Sequence, residues 1–233
     1  MKSTLLALTL LAGSVPAFAV VSVPTTIAQW TFEASLPATS GPFSPEAGSG
    51  SASGYHAGAS TYSNPAGNGS AHSFSSNTWA VGDYYQFKAS TTGFTGISVT
   101  WNQISSGTGP KDFSLLYSTD GTNFSSAIAS YAVLANSTPN TWSTATPTST
   151  SSYSFDFSGT TALDNQSTVY FRLRDLDTIS ANGSTVATGG TDRVDNFTVS
   201  AIAIPEPSTY ALLAGVATLA VVVMRRKARV NAA

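Results

Sequence analysis

Any hydrolytic chemistry in this chain has to start from two histidines. His56 and His72 are the only imidazoles available to activate a serine, and a serine is a poor nucleophile without such a base. Both fall in or beside a stretch rich in Gly and Ser, and no Gly-x-Ser-x-Gly elbow accompanies them, so they are expected at the surface or at strand edges. Glycosidic cleavage needs two facing carboxylates, roughly 5–10 Å apart. Asp83, Asp112, Asp156, Asp175, Asp177, Asp192 and Asp195 are all available. Asp175 and Asp177 share one face of an extended segment, but no pair stands out. Aromatic side chains offer a third chemistry, because the apolar face of a sugar ring stacks on an exposed Trp or Tyr. Trp79, Tyr84 and Trp142 are the stacking candidates. Trp79 and Trp142 lie near loops, and Tyr84 alternates with Tyr85, which places one of the two outside. Trp30 and Trp101 sit within alternating strands and are expected in the core. The chain has no Cys, which excludes disulfides and Cys-ligated zinc.

The elements that must position these residues read as strands. Short β-branched and aromatic segments alternate with Gly, Ser, Asn and Pro clusters, with no amphipathic helix between. The segments predicted as strands are 27–33, 71–75, 83–88, 96–103, 112–118, 124–133, 152–157, 168–174 and 192–201. Asp120-Gly121 is a hairpin turn pair between two of them. About nine strands without crossover helices predict an all-β, antiparallel β-sandwich, jelly-roll-like, spanning residues 20–203. In that arrangement the first and last strands pair side by side, which protects two edges. Residues 37–68 and 138–150 carry few large apolar side chains, and they are expected to form long, mobile surface excursions.

Carbohydrate-binding jelly rolls resemble this pattern in one further respect. They often hold a structural calcium where the first and last strands meet, with a Phe-Glu ending the first and an Asp-Asn in the last. Phe32-Glu33 and Asp195-Asn196 resemble those positions. The resemblance implies Glu33 and Asp195 as calcium ligands. The competing reading leaves both solvated, or paired with Arg193.

The charge is divided between the ends and the middle. The formal net charge is −2, from 10 basic and 12 acidic residues. Lys2, Arg225, Arg226, Lys227 and Arg229 stand at the ends, so residues 20–204 keep five basic residues against eleven acidic ones. That middle is no nucleic-acid binder. Residues 1–19 read as a secretory signal peptide: Lys2, an apolar run, then Ala17-Phe18-Ala19 as the cleavage site. At the other end Pro205-Glu206-Pro207 precedes an apolar run from Tyr210 to Met224 and the cluster Arg225-Arg226-Lys227. Residues 208–224 are predicted to form a single transmembrane helix. Its 17 residues reach about 25 Å, slightly short of a hydrocarbon core of about 30 Å. The basic cluster orients the C-terminus to the cytoplasm.

Residues 204–229 resemble the PEP-CTERM sorting signal of Gram-negative bacteria, in the order Pro-Glu-Pro, short apolar helix, basic cluster. The resemblance implies recognition of Pro205, Glu206 and Pro207 by an exosortase-type membrane protease, after export through the Sec translocon. It implies an inner-membrane precursor and a mature form at the cell surface or in an exopolysaccharide matrix. The expected role is non-catalytic, structural or adhesive, with no cofactor required beyond that structural calcium. A carbohydrate-binding module is the alternative, and a secreted glycoside hydrolase the second alternative.

Overall fold

The computed structural model describes residues 23–230. The expected signal peptide, with Ala17 and Ala19, lies outside the described residues. Residues Val23–Ile204 form one compact unit, and the segment from Pro205 belongs to another.

The first unit is built from twelve strands: β1 (Thr25–Trp30), β2 (Ala47–Gly48), β3 (Gly50–Tyr55), β4 (Tyr62–Ser63), β5 (Phe74–Ser76), β6 (Tyr84–Ala89), β7 (Phe94–Ser105), β8 (Asp112–Ser118), β9 (Ser125–Ala132), β10 (Ser152–Asp156), β11 (Val169–Asp175) and β12 (Asp192–Ala203). They make two antiparallel sheets. One runs β10-β7-β12-β1-β2, with β5 also beside β12 and β4 beside β5, and the other runs β3-β6-β11-β8-β9. The first and last strands pair as expected, with Gln29 opposite Thr198 and Trp30 opposite Phe197.

Alternation explains which residues face inward. Tyr85 and Phe87 of β6 and Phe171 and Leu173 of β11 are buried, while Tyr84, Gln86, Tyr170 and Arg172 face the other side. The two sheets meet where the Phe87 ring stacks on Phe197 with centroids 3.6 Å apart, and Trp30 meets both rings edge-on. In β12 the inward residues Val194 and Phe197 are three apart, which strict alternation forbids. A bulge between Asp195 and Thr198 absorbs the extra residue, with Asn196 at φ 52°, a conformation Asn tolerates better than most residues. Among the described residues, all buried hydrophobic side chains lie between Ala28 and Ala201, so the sandwich carries a core of its own.

The stretch 37–68 departs from expectation. It is not simply a surface excursion, because it supplies β2, β3 and β4. β3 (GSASGY) pairs with β6 along its full length, from Gly50 opposite Ala89 to Tyr55 opposite Tyr84. Its inward positions are small, with Ala52 fully buried. Pairing therefore rests on the backbone, and the usual apolar alternation is missing. Likewise, the strand expected at 71–75 begins only at Phe74.

The second unit contains helix α1 (Pro207–Val230). Arg225, Arg226 and Lys227 are exposed on it. Among the described residues no helix is long and apolar enough to cross a membrane.

Candidate functional site

The two sheets close at one end over a buried polar chain that no sequence motif announced. His56 follows β3, Ser76 ends β5 and Asp83 precedes β6. The His56 Nδ1 lies 2.8 Å from Asp83 Oδ2, and its Nε2 lies 3.0 Å from Ser76 Oγ. The order and distances are those of a Ser-His-Asp relay. The surroundings are not those of an active site. Ser76 is 1% exposed, and its hydroxyl also meets the Tyr85 hydroxyl at 3.1 Å. The His56 ring is packed edge-on against Trp79 and Tyr62. Burial lowers the His56 pKa below the usual 6.5, against the opposing pull of Asp83. Asp83 is further held by the amides of Ala57 and Ala80, each at 2.8 Å. A nucleophile sealed this way reaches no substrate, and the constellation works as a structural brace.

The chain continues through Tyr85, whose hydroxyl donates to Asp192 O at 2.8 Å. The Asp192 carboxylate is fully buried, with Gln103 Nε2 at 3.0 Å and Ser105 Oγ at 2.9 Å. Ser105 has one proton, and its hydroxyl also donates to the Pro110 carbonyl at 2.6 Å. The Ser105 hydroxyl thus faces two acceptors, and burial raises the Asp192 pKa well above the ordinary range.

Asp175 lies inward at the end of β11, 1% exposed, and neither carboxylate oxygen reaches a donor at bonding geometry. Burial pushes its pKa up to about 7, although the nearby amides of Asp177 and Leu176 offset part of the cost. Asp177 spends Oδ1 on the Ile179 amide at 2.7 Å. The two acids thus do not face one another across a cleft.

Glu33 and Asp195 both clamp the loop from Gly67 to His72. Glu33 Oε1 accepts from the His72 amide at 2.8 Å. Asp195 Oδ2 accepts from the Asn68 amide at 2.9 Å and Ser70 Oγ at 2.8 Å, and Oδ1 accepts from the Asn196 amide at 2.7 Å. Burial raises the Asp195 pKa to about 6, with the Glu33 charge adding to it. Calcium needs six to eight oxygens with free lone pairs converging on one point. Glu33 Oε1 and both Asp195 oxygens are directed at N–H and O–H donors instead. Among the described residues no group of three or more His, Cys, Asp or Glu could hold a metal. The donor set as folded does not fit calcium. Arg193, the other partner considered, instead donates through Nη1 to Ala66 O at 2.9 Å.

Two of the three stacking candidates are inside. Trp79 and Trp142 are 7% and 4% exposed, and their indole N–H groups donate to Ser76 O at 3.0 Å and Ser151 Oγ at 2.7 Å. Each loop folds its indole inward because a partner waits there for the N–H. Tyr84 does face outward. It stacks on half-exposed Tyr55, with centroids 5.0 Å apart and planes 15° apart. The outer face of the other sheet holds a shallow groove of about 420 Å³, lined by Gln29, Thr100, Asn102, Ser152, Asn196 and Thr198 among others. Its side chains are neutral hydroxyls and amides together with the rings of Trp101 and Tyr153.

The sorting residues lie at the junction of the two units. β12 ends at Ala203, Pro205 and Glu206 follow, and α1 opens at Pro207. No curated protein matches the chain. Several solved structures are similar to this chain at low identity. A cleaved adhesin domain of Lys-gingipain from Porphyromonas gingivalis aligns with 78% of this chain and 99% of its own, at 13% identity and TM-score 0.42. The N-terminal endo-1,4-beta-D-xylanase 10B modules of Clostridium thermocellum, complexed with xylohexaose, align with 76% of this chain at 13% identity and TM-score 0.43. This chain spans 28% of that one. A family 29 carbohydrate-binding module aligns with 80% of this chain and 98% of its own, at 13% identity and TM-score 0.38. At the C-terminal end, residues 203–227 match the PEP-CTERM protein-sorting motif.

Proposed function

We propose that this chain is an exported surface or matrix protein whose sandwich is delivered by its C-terminal sorting segment and catalyses no reaction. The match at 203–227 carries the reading. An exosortase-type membrane protease is the processing partner that motif implies. Pro205 and Pro207 fix φ on either side of Glu206 and disfavour helix before them, so the segment stays extended for a protease. A cut there leaves the core of the sandwich, residues Val23–Ile204, untouched. The apolar run 210–224 and the exposed Arg225, Arg226 and Lys227 support a transient inner-membrane anchor with its C-terminus in the cytoplasm. The sealed Ser76 and the unpaired geometry of Asp175 and Asp177 support a non-catalytic sandwich.

The test is the double substitution Pro205→Ala and Glu206→Ala, expressed in a host with its own sorting protease. Intact-mass spectrometry of the membrane and medium fractions is expected to find full-length precursor accumulating in the membrane. Normal processing of the variant would refute the assignment.

A further inference from the structure

We propose that the outer face of the five-stranded sheet binds a carboxylated polysaccharide, with Arg172 as its central contact and Tyr55 as its stacking ring. The inference rests on the chain being an exported surface protein and names what that protein would hold.

Three of the five cations between residues 20 and 204, Lys88, Arg172 and Arg174, occupy outward positions on two adjacent strands, β6 and β11. Arg172 and Arg174 are two residues apart on one face, which sets their Cα atoms about 7 Å apart. The same stretch of chain holds eleven acids, yet among its described residues Lys88, Arg172 and Arg174 form no ion pair with any of them. The outward carboxylate on these five strands is Asp112, at the very start of β8. Asp120 stands in the neighbouring turn, where hydrogen bonds from Asn123, Thr122 and Ser118 occupy it and hold its pKa well below the usual range. A cationic face left unpaired on an acidic body is complementary to an anion from outside.

The geometry of Arg172 narrows the anion. Its guanidinium carbon lies 4.0 Å from the Tyr84 ring centroid and 3.7 Å from that of Phe124. Its Nε donates to Gln86 Oε1 at 2.8 Å. Two aromatic rings therefore pack on the guanidinium and the Nε edge is used. The two Nη groups make no hydrogen bond among the described residues, which leaves them as an in-plane fork for a ligand. Such a fork matches a planar carboxylate through two parallel N–H···O bonds. Because the rings and Gln86 already hold the side chain, little rotamer freedom remains to be lost on binding. Tyr55 stacks on Tyr84, and Arg172 lies over the Tyr84 ring as well, so the ring face left open is that of half-exposed Tyr55 at the sheet edge. A sugar stacked on Tyr55 would leave a neighbouring uronate of the same chain to present its carboxylate to Arg172, with the next sugars running along β11 toward Arg174 or across to Lys88.

Binding is measured by isothermal titration of the purified sandwich, residues 20–204, which carries its whole core. Alginate is the carboxylated glycan, dextran the neutral glycan, and a DNA duplex the polyanion without sugar carboxylates. The wild type is expected to bind alginate in preference to both. R172Q with R174Q is expected to weaken alginate binding by about tenfold or more, the scale of losing charge-assisted hydrogen bonds. Y55A is expected to weaken it several-fold, and K111Q, a charge control outside the strands, to leave it unchanged. Thermal melts confirm that each variant is folded; if R172Q melts early, R174Q with Y55A decides the matter. No alginate binding, equal binding of DNA or dextran, or an equal loss in K111Q each overturns the proposal. The assay contains no protease or membrane, so its failure leaves the sorting assignment standing, and normal processing of the Pro205 and Glu206 variant leaves this one standing.

Discussion

Replacing Asp175 with Asn removes a buried, unpartnered carboxylate while keeping its shape. The carboxyl titrates at about 7 in the folded chain, against an ordinary 3.8, because burial disfavours the charge. The folded state therefore holds this proton more tightly than the unfolded state. Stability from the protonated form is complete below about pH 4 and is lost as pH rises through about 7. At about 1.4 kcal/mol per pH unit the loss reaches about 4 kcal/mol by pH 8, as an upper bound for one group. Asp195 and Asp192 titrate in the same sense, and His56, whose pKa is lowered, opposes them below pH 6.5. The raw curve thus sums several groups, and the difference between Asp175→Asn and wild type isolates one. Urea unfolding of residues 20–204, followed by Trp fluorescence at pH 4.5 to 8, measures it. The variant is expected to gain on the wild type by up to about 1.4 kcal/mol per pH unit between pH 4.5 and 7. Parallel curves for the two proteins, or a gain with falling pH, would refute the reasoning.

Two further outcomes follow from the buried polar groups. His56→Ala strands Asp83 and Ser76 and is expected to cost about 3 kcal/mol of stability, the scale of breaking a buried pair. Thermal unfolding measures the cost, and ester or glycan hydrolysis by the wild type would contradict the sealed reading of this cluster. Millimolar calcium is expected to leave the melting temperature unchanged, since the Glu33 and Asp195 oxygens already serve amide and hydroxyl donors. Saturation at a hundredfold excess over Kd would add about 2.7 kcal/mol, so a rise of several degrees would show that those donors yield to the ion.

What the sequence discloses here depends on whether a residue's role shows in its own neighbourhood. β8 was legible to the residue, because DFSLLYS ends on a turn signal and packs on the core at alternate positions. β3 was not, because GSASGY alternates no large apolar side chains, and its place depends on β6 beside it. The same limit hid the Ser76–His56–Asp83 chain. Its members come from the ends of three segments, two on one sheet and one on the other, and no motif spacing joins them. Trp79 and Trp142 were misplaced for a related reason. A loop composition suggests exposure, but each indole found an acceptor only after the chain had folded back on it. The sorting segment was legible because all of its parts are contiguous.

The formal charge of the sandwich misleads in the same way, and correcting it bears on function. Eleven acids against five bases suggest a uniformly anionic surface. Yet Asp83, Asp175, Asp192 and Asp195 are buried. Asp192 and Asp175 lie inward with pKa values raised by burial, Asp83 is committed to His56, and Asp195 clamps a loop. These acids contribute little to the field at the outer surface, because burial holds them away from it. The inward carboxylate of β11 lies at its end, while the two arginines of that strand face out beside Lys88. Sequence counting assigns this strand a near-balanced charge. Alternation separates the signs across the sheet, leaving the interior to hold the acid and the solvent side to hold the cations. A surface made cationic in this way on an acidic chain is local, which favours recognition of anions arranged along that face over general adhesion to polyanions.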